Sequence, residues 1–149
     1  MFLNRLNQEE KVAFLELAHH IARSDNDFSN LQKEIISGYC VEMQISDIEY
    51  DKKDFNLDTT LNKVNSSQSQ KIILLEIMAL IYSDDILHEE ERKILNIIID
   101  RFELNHAIAD VYTQWSKSIL ALTIQGEALL HIWCFLVVGV VFVVKILQP

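Results

Sequence analysis

The sequence predicts an all-α fold: a compact bundle of two similar helical hairpins, followed by an apolar C-terminal helix. Three observations carry this. Glycine numbers 3 and proline 1 in 149 residues, too few for the tight turns of an all-β sandwich or barrel. Apolar residues recur at helical spacing along most of the chain. One pattern, an apolar helix, a short acidic turn and an amphipathic helix, occurs twice at an offset of 59 residues.

The first helix starts near Asn7, which with Glu10 forms a capping-box-like pair. Val12, Leu15, Ala18 and Ala22 follow at helical spacing, and Phe14, Leu17 and Ile21 widen the apolar face. Ser24-Asp25-Asn26-Asp27 breaks the pattern. Ser29 and Gln32 make a second capping box, opening a helix with Leu31, Ile35, Tyr39 and Met43 on one stripe. Residues 44–66 are the least regular. Ser46 with Glu49, and Asp58 or Thr59 before Leu61, suggest one or two short helices there, and residues 65–69 read as a polar joint.

The next helix is apolar on nearly every face, from Ile72 to Ile81, and so should be central and buried. Ser83-Asp84-Asp85 stops it. Glu89 to Phe102 forms another helix with Ile94, Leu95, Ile98 and Phe102 inward, and Glu89 and Lys93 stand one turn apart. Asn105 is positioned to cap a further helix carrying Ile108, Val111, Tyr112 and Trp115. Gly126 precedes the tail. In the 59-residue repeat Leu15, Ala18 and Ile21 fall on Leu74, Ile77 and Leu80; Ser24 and Asp25 fall on Ser83 and Asp84; Ile35 falls on Ile94.

Charge divides the chain in two. Lysine and arginine total 13 against 22 acidic residues, a net of −9. Residues 1–127, the helical domain, hold every acid; residues 128–149 hold one charged residue, Lys145. So acidic a body excludes nucleic acid as a partner of its general field and leaves cations or a protein partner. Cys40 and Cys134 lie far apart and suggest neither a disulfide framework nor a zinc site.

The acidic turns are the main chemical candidates. Asp25, Asp27 and Ser29 offer hard oxygen ligands at alternate positions, as the first half of a calcium loop would. The full EF-hand is excluded, because Asn30 stands at the glycine position and Ile36 at the final glutamate position. In the second turn Asp84 and Asp85 supply carboxylates, and Glu91 could reach back towards Asp84. The competing reading makes Asp25 and Asp84 helix-ending turn residues, and Gln32 and Glu91 caps. His19 and His20 point about 100° apart on a helix, so packing is expected rather than a shared metal. His88 flanks the second acidic turn. Glu16 and Glu76 lie on strongly apolar helices and are expected at their edges. The five acids from Asp47 to Asp58 read as a solvated face. No phosphate loop, HExxH or nucleophile elbow occurs, so no enzyme is expected.

Residues 74–95, LLEIMALIYSDDILHEEERKIL, resemble the signature of TerB-like tellurite-resistance domains. That signature is an apolar helix running into an Asp-led acidic turn, with Glu seven residues after the Asp; here these are Asp84 and Glu91. Residues 15–35, LELAHHIARSDNDFSNLQKEI, resemble it too, with Asp25 kept and Gln32 in the Glu position. Asn26 and Asp85 stand where the family often has glycine. The resemblance covers roughly residues 5–115. It implies a compact helical module of bacterial stress response or tellurite resistance, akin also to the N-terminal domain of membrane-anchored DnaJ-like co-chaperones. It further implies an acidic face that binds a divalent cation, calcium or magnesium, through Asp84, Asp85 and Glu91, with Asp25 and Asp27 weaker. The alternative is a metal-free protein-interaction domain.

The tail reads ALLHIWCFLVVGVVFVVKIL over residues 128–147. Twenty helical residues span about 30 Å, a bilayer's hydrocarbon thickness. Six valines favour a strand locally, but the run exceeds ordinary strand length. With no apolar signal segment at the N-terminus, the expectation is a C-terminal anchor in the inner membrane with the body in the cytoplasm. A core helix or an oligomer interface is the competing reading.

Overall fold

A computed structural model describes residues 2–24, 28–84 and 88–119, and beyond them 121, 122, 125, 126 and 129. Every regular element among these is helical and none is a strand. The helices are α1 (Gln8–Ala22), α2 (Asn30–Met43), α3 (Leu57–Leu61), α4 (Ser67–Ile81) and α5 (Glu89–Arg101), and residues 106–119 are helical as well. Short 3-10 turns occupy Leu3–Arg5 and Tyr82–Asp84. Met1–Lys117 form one compact unit and Ser118–Pro149 a second. The apolar tail, residues 128–147, lies outside the described residues except Leu129.

Local chemistry sets the helix starts. Asn7 accepts the Glu10 N–H at 3.0 Å while Glu10 accepts the Asn7 N–H at 3.0 Å, a reciprocal box that satisfies two otherwise orphan donors. Ser29 and Gln32 repeat it at 3.1 Å in both directions. Ser66 accepts the Ser69 N–H at 2.9 Å, so the polar joint is the cap and first turn of α4. Asn56, rather than Asp58 or Thr59, caps α3 by accepting the Thr59 N–H. Asn105 accepts the Ala107 N–H at the start of the helical residues that follow.

The 59-residue offset reaches the element ends. α1 and α4 are both 15 residues long and begin and end at corresponding positions. α2 and α5 also begin at corresponding positions. Each is followed by a left-handed residue, Gln44 (φ 55°) or Glu103 (φ 52°). After each, the next N–H bonds back five residues, Ile45 to Cys40 O and Leu104 to Ile99 O. These are Schellman closures, which meet carbonyls the helix leaves unpaired.

α1 and α4 pack against each other at the centre. Phe14, Leu15 and Leu17 of α1 and Ile73, Leu74, Ile77 and Met78 of α4 are fully buried. α2 adds Ile36, Tyr39 and Met43; α5 adds Leu95, Ile98 and Ile99. Burial of each such large side chain contributes about 1.5–3 kcal/mol. The N-terminal turn seals one edge: the Phe2 N–H donates to Glu76 at 3.0 Å and the Leu3 N–H to Glu42 at 2.9 Å. Glu76 is therefore buried rather than at a wet edge.

Other side chains also differ from the sequence reading. Leu31 is 45% exposed. Residues spaced by four drift about 40° per step around a helix, so Leu31 has rotated away from the face that Met43 occupies. Val111 is exposed, while Tyr112 packs on the core. Glu89 pairs with Arg92 and Glu90 with Lys93, both at i,i+3, instead of Glu89 with Lys93. Residues 45–50 are irregular rather than helical, and from among them Asp47 and Tyr50 bond to His19 and His20 of α1.

Candidate functional site

Of the acidic-turn residues, Asp25, Asp27 and Asp85 lie outside the described residues, and Asp84 closes the Tyr82–Asp84 turn. Glu91 is buried and accepts the His88 N–H at 3.1 Å. Gln32 does the same for Ser29, so both serve as caps, one repeat apart. Ser24 and Ser83, each next to an acidic turn and again one repeat apart, have hydroxyls shielded from solvent without a hydrogen-bond partner among the described residues. A buried hydroxyl without a partner is costly, and an alcohol oxygen is a hard donor of the kind calcium accepts. Among the described residues, no group of three or more His, Cys, Asp and Glu side chains is arranged to hold a metal ion.

A polar cluster on the first repeat was not legible in the sequence as a unit. His19 is buried, and its Nε2 lies 2.7 Å from Asp47 Oδ1. Its Nδ1 lies 2.5 Å from Arg23 Nη1. A guanidinium can only donate, so Nδ1 is the acceptor and Nε2–H donates to Asp47. His20, on the adjacent helical position, meets the Tyr50 hydroxyl at 2.7 Å and stacks on Phe55 with centroids 4.0 Å apart. Arg23 lies over Phe28 at 3.9 Å and over Tyr50 at 5.2 Å. The two histidines therefore turn to different partners and together pin residues 47–55 to α1.

Burial governs the electrostatics. Desolvation, and secondarily Lys52, lowers the His20 pKa, so its neutral form is favoured. Burial alone would raise Asp47, but the hydrogen bonds from His19 and the Ile48 N–H, with the nearby charge of Arg23, hold it below the usual carboxylate value. Burial raises Tyr50; Arg23 opposes this and Asp51 adds to it. The Cys40 thiol is pushed up to about 11 by burial and then by Asp47. A thiol held protonated is a poor nucleophile, and His19 has its basic nitrogen occupied by Arg23.

The same segment walls two openings. A cleft of about 250 Å³ is lined by Val12 and Glu16 of α1, by Tyr50, Asp54 and Phe55, and by Lys63 after α3, among others. Glu16 forms its end wall, accepting from Lys63 Nζ at 2.9 and 3.0 Å and from the Thr60 hydroxyl at 2.7 Å. A second, more open space lies against Arg23, Phe28, Tyr50, Asp51 and Lys52. The available signal was the aromatic pair Tyr50 and Phe55 inside the acidic run. Comparison with known proteins gives no matching family model, no matching curated protein and no matching solved structure.

Proposed function

We propose that the chain is a non-enzymatic, TerB-like module of bacterial stress response or tellurite resistance, a bundle of two similar helical hairpins whose acidic turns bind calcium or magnesium and present the loaded face to a protein partner. The observation that carries the reading is the correspondence of the two halves: α1 and α4 share their bounds, α2 and α5 share their starting position, Gln32 and Glu91 both cap, and beside each acidic turn a buried hydroxyl has no hydrogen-bond partner among the described residues. Asp84, Asp85 and Glu91 form the stronger site, since that turn keeps a glutamate where the first has Gln32; Asp25 and Asp27 form the weaker one. The apolar run 128–147, which lies outside the described residues except Leu129, is proposed as the anchor of the acidic body at the cytoplasmic face of the inner membrane.

A ligand that binds only the folded state raises the melting temperature. Calcium at about ten times its dissociation constant adds about 1.4 kcal/mol, a shift of a few degrees for a chain this size. The full chain should show that shift, and Asp84→Asn should remove more of it than Asp25→Asn. An unchanged melting temperature in millimolar calcium and magnesium supports instead the metal-free interaction domain, which the buried, capping role of Glu91 favours.

A further inference from the structure

The second repeat is an internal control for the first. Where α1 carries Glu16, His19, His20 and Arg23, the positions 59 residues on are Leu75, Met78, Ala79 and Tyr82. The helical residues 106–119 reach this face of α4: Ser116 donates to Leu75 O at 3.4 Å and the Thr113 hydroxyl approaches the Met78 sulfur at 3.9 Å. On α1 the corresponding face meets the irregular residues 45–56, and a cleft of about 250 Å³ stays open. One sequence unit thus builds its helix pair with an apolar face and the other with a polar one. Buried polar and ionic groups are often replaceable by apolar packing without loss of stability, and the second repeat shows an apolar version in this chain. The polar version holds residues 47–55 on α1 and leaves a cleft beside them.

The cleft's chemistry selects a ligand class. Tyr50 and Phe55 supply aromatic walls and Val12 an apolar one, while Glu49, Asp51 and Asp54 stand around them. Its one cation, Lys63, is already paired with Glu16, and Glu49 and Asp54 hold no ion pair among the described residues. His20 stacks on Phe55 and Arg23 lies over Tyr50 at 5.2 Å, and neither lines the cleft. Carboxylates repel an anion. A bare divalent ion wants six to eight converging oxygens, and among the described residues no group of three or more His, Cys, Asp and Glu side chains is arranged to hold one. An organic cation is suited to both surfaces, since it is attracted to the ring face and to the carboxylates. The volume admits a head group or one side chain, less than a drug-sized ligand.

We propose that the cleft between α1 and residues 48–63 binds an organic cation, an ammonium or guanidinium group, with its charge between Glu49 and Asp54 and its body against Tyr50 and Phe55. Such a group can come from a free small amine or from an arginine or lysine of a basic peptide. The test is an NMR titration of the full chain with tetramethylammonium chloride, with a blocked Gly-Arg-Gly peptide, and with sodium chloride at matched ionic strength. Saturable shifts at Tyr50 and Phe55 with either organic cation, and not with sodium, are expected; the tighter of the two identifies the source. Phe55→Leu should weaken binding about two- to fivefold. The Glu49→Gln, Asp54→Asn double variant alters only exposed side chains and should weaken it at least as much in an intact fold. Shifts equal to those of sodium chloride, or an affinity unchanged in the double variant, overturn the proposal.

Discussion

The thiol of Cys40 and the imidazole of His19 both turn to one carboxylate, Asp47. Raising the thiol from 9.0 to about 11 cuts its thiolate fraction near neutral pH about 100-fold. In a Cys134→Ser background, Cys40 should react with iodoacetamide at least about 100-fold more slowly than a free cysteine; a rate near that of free cysteine would show that Asp47 and burial do not control it. The pH dependence of stability has a definite sign. His20 has a lowered folded pKa, so below 6.5 the unfolded chain takes up more protons and stability falls as pH drops. Asp47, also lowered, contributes stability that is present above 3.8 and lost below it. Urea unfolding from pH 7 to 4 should show a declining midpoint, with the loss between pH 6.5 and 5 reduced in His20→Gln. At this scale the caps were legible, because Asn7 and Glu10 or Ser29 and Gln32 lie three residues apart and act locally. The His19–Asp47 and His20–Tyr50 pairs were not: 28 and 30 residues separate them, and no periodicity links a helix to an irregular segment.

Helix ends carry the element-scale account. Gln44 and Glu103 adopt left-handed backbone at corresponding closures. A side chain there costs about 1–2 kcal/mol, and glycine avoids it while adding some unfolded-state entropy. Gln44→Gly and Glu103→Gly should therefore each stabilise the protein by about 0.5–1 kcal/mol in chemical denaturation; a loss in both would mean their side chains matter more than their backbone. Asn7→Ala should cost about 1 kcal/mol through the lost cap. Helix existence and order were readable from apolar periodicity, since α4 and α5 need no tertiary knowledge. Residues 45–50 were not, because Ser46 and Glu49 satisfy the capping-box pattern while Asp47 and Tyr50 bond to His19 and His20. Leu31 shows the related limit: a stripe read in steps of four overlooks helical drift.

At the scale of the whole molecule, duplication is what the sequence revealed most usefully: an offset found in apolar residues extends to helix bounds and closures. The tail is tested by fractionating cells that express the full chain or residues 1–127. The full chain should sediment with membranes, while residues 1–127 stay in the supernatant and keep a cooperative melt; a soluble monomeric full chain beside an unfolded truncation would make the tail part of a core. The central functional claim, unequal cation binding by two copies of one acidic turn, is addressed most directly by a residue-resolved NMR titration of the full chain with calcium and with magnesium. The account predicts saturable shifts at Ser83, Asp84 and His88 at lower calcium than at Ser24 and Asp25, and their loss in Asp84→Asn but not in Asp25→Asn. Absent shifts at millimolar cation, or equal losses in the two variants, would contradict it.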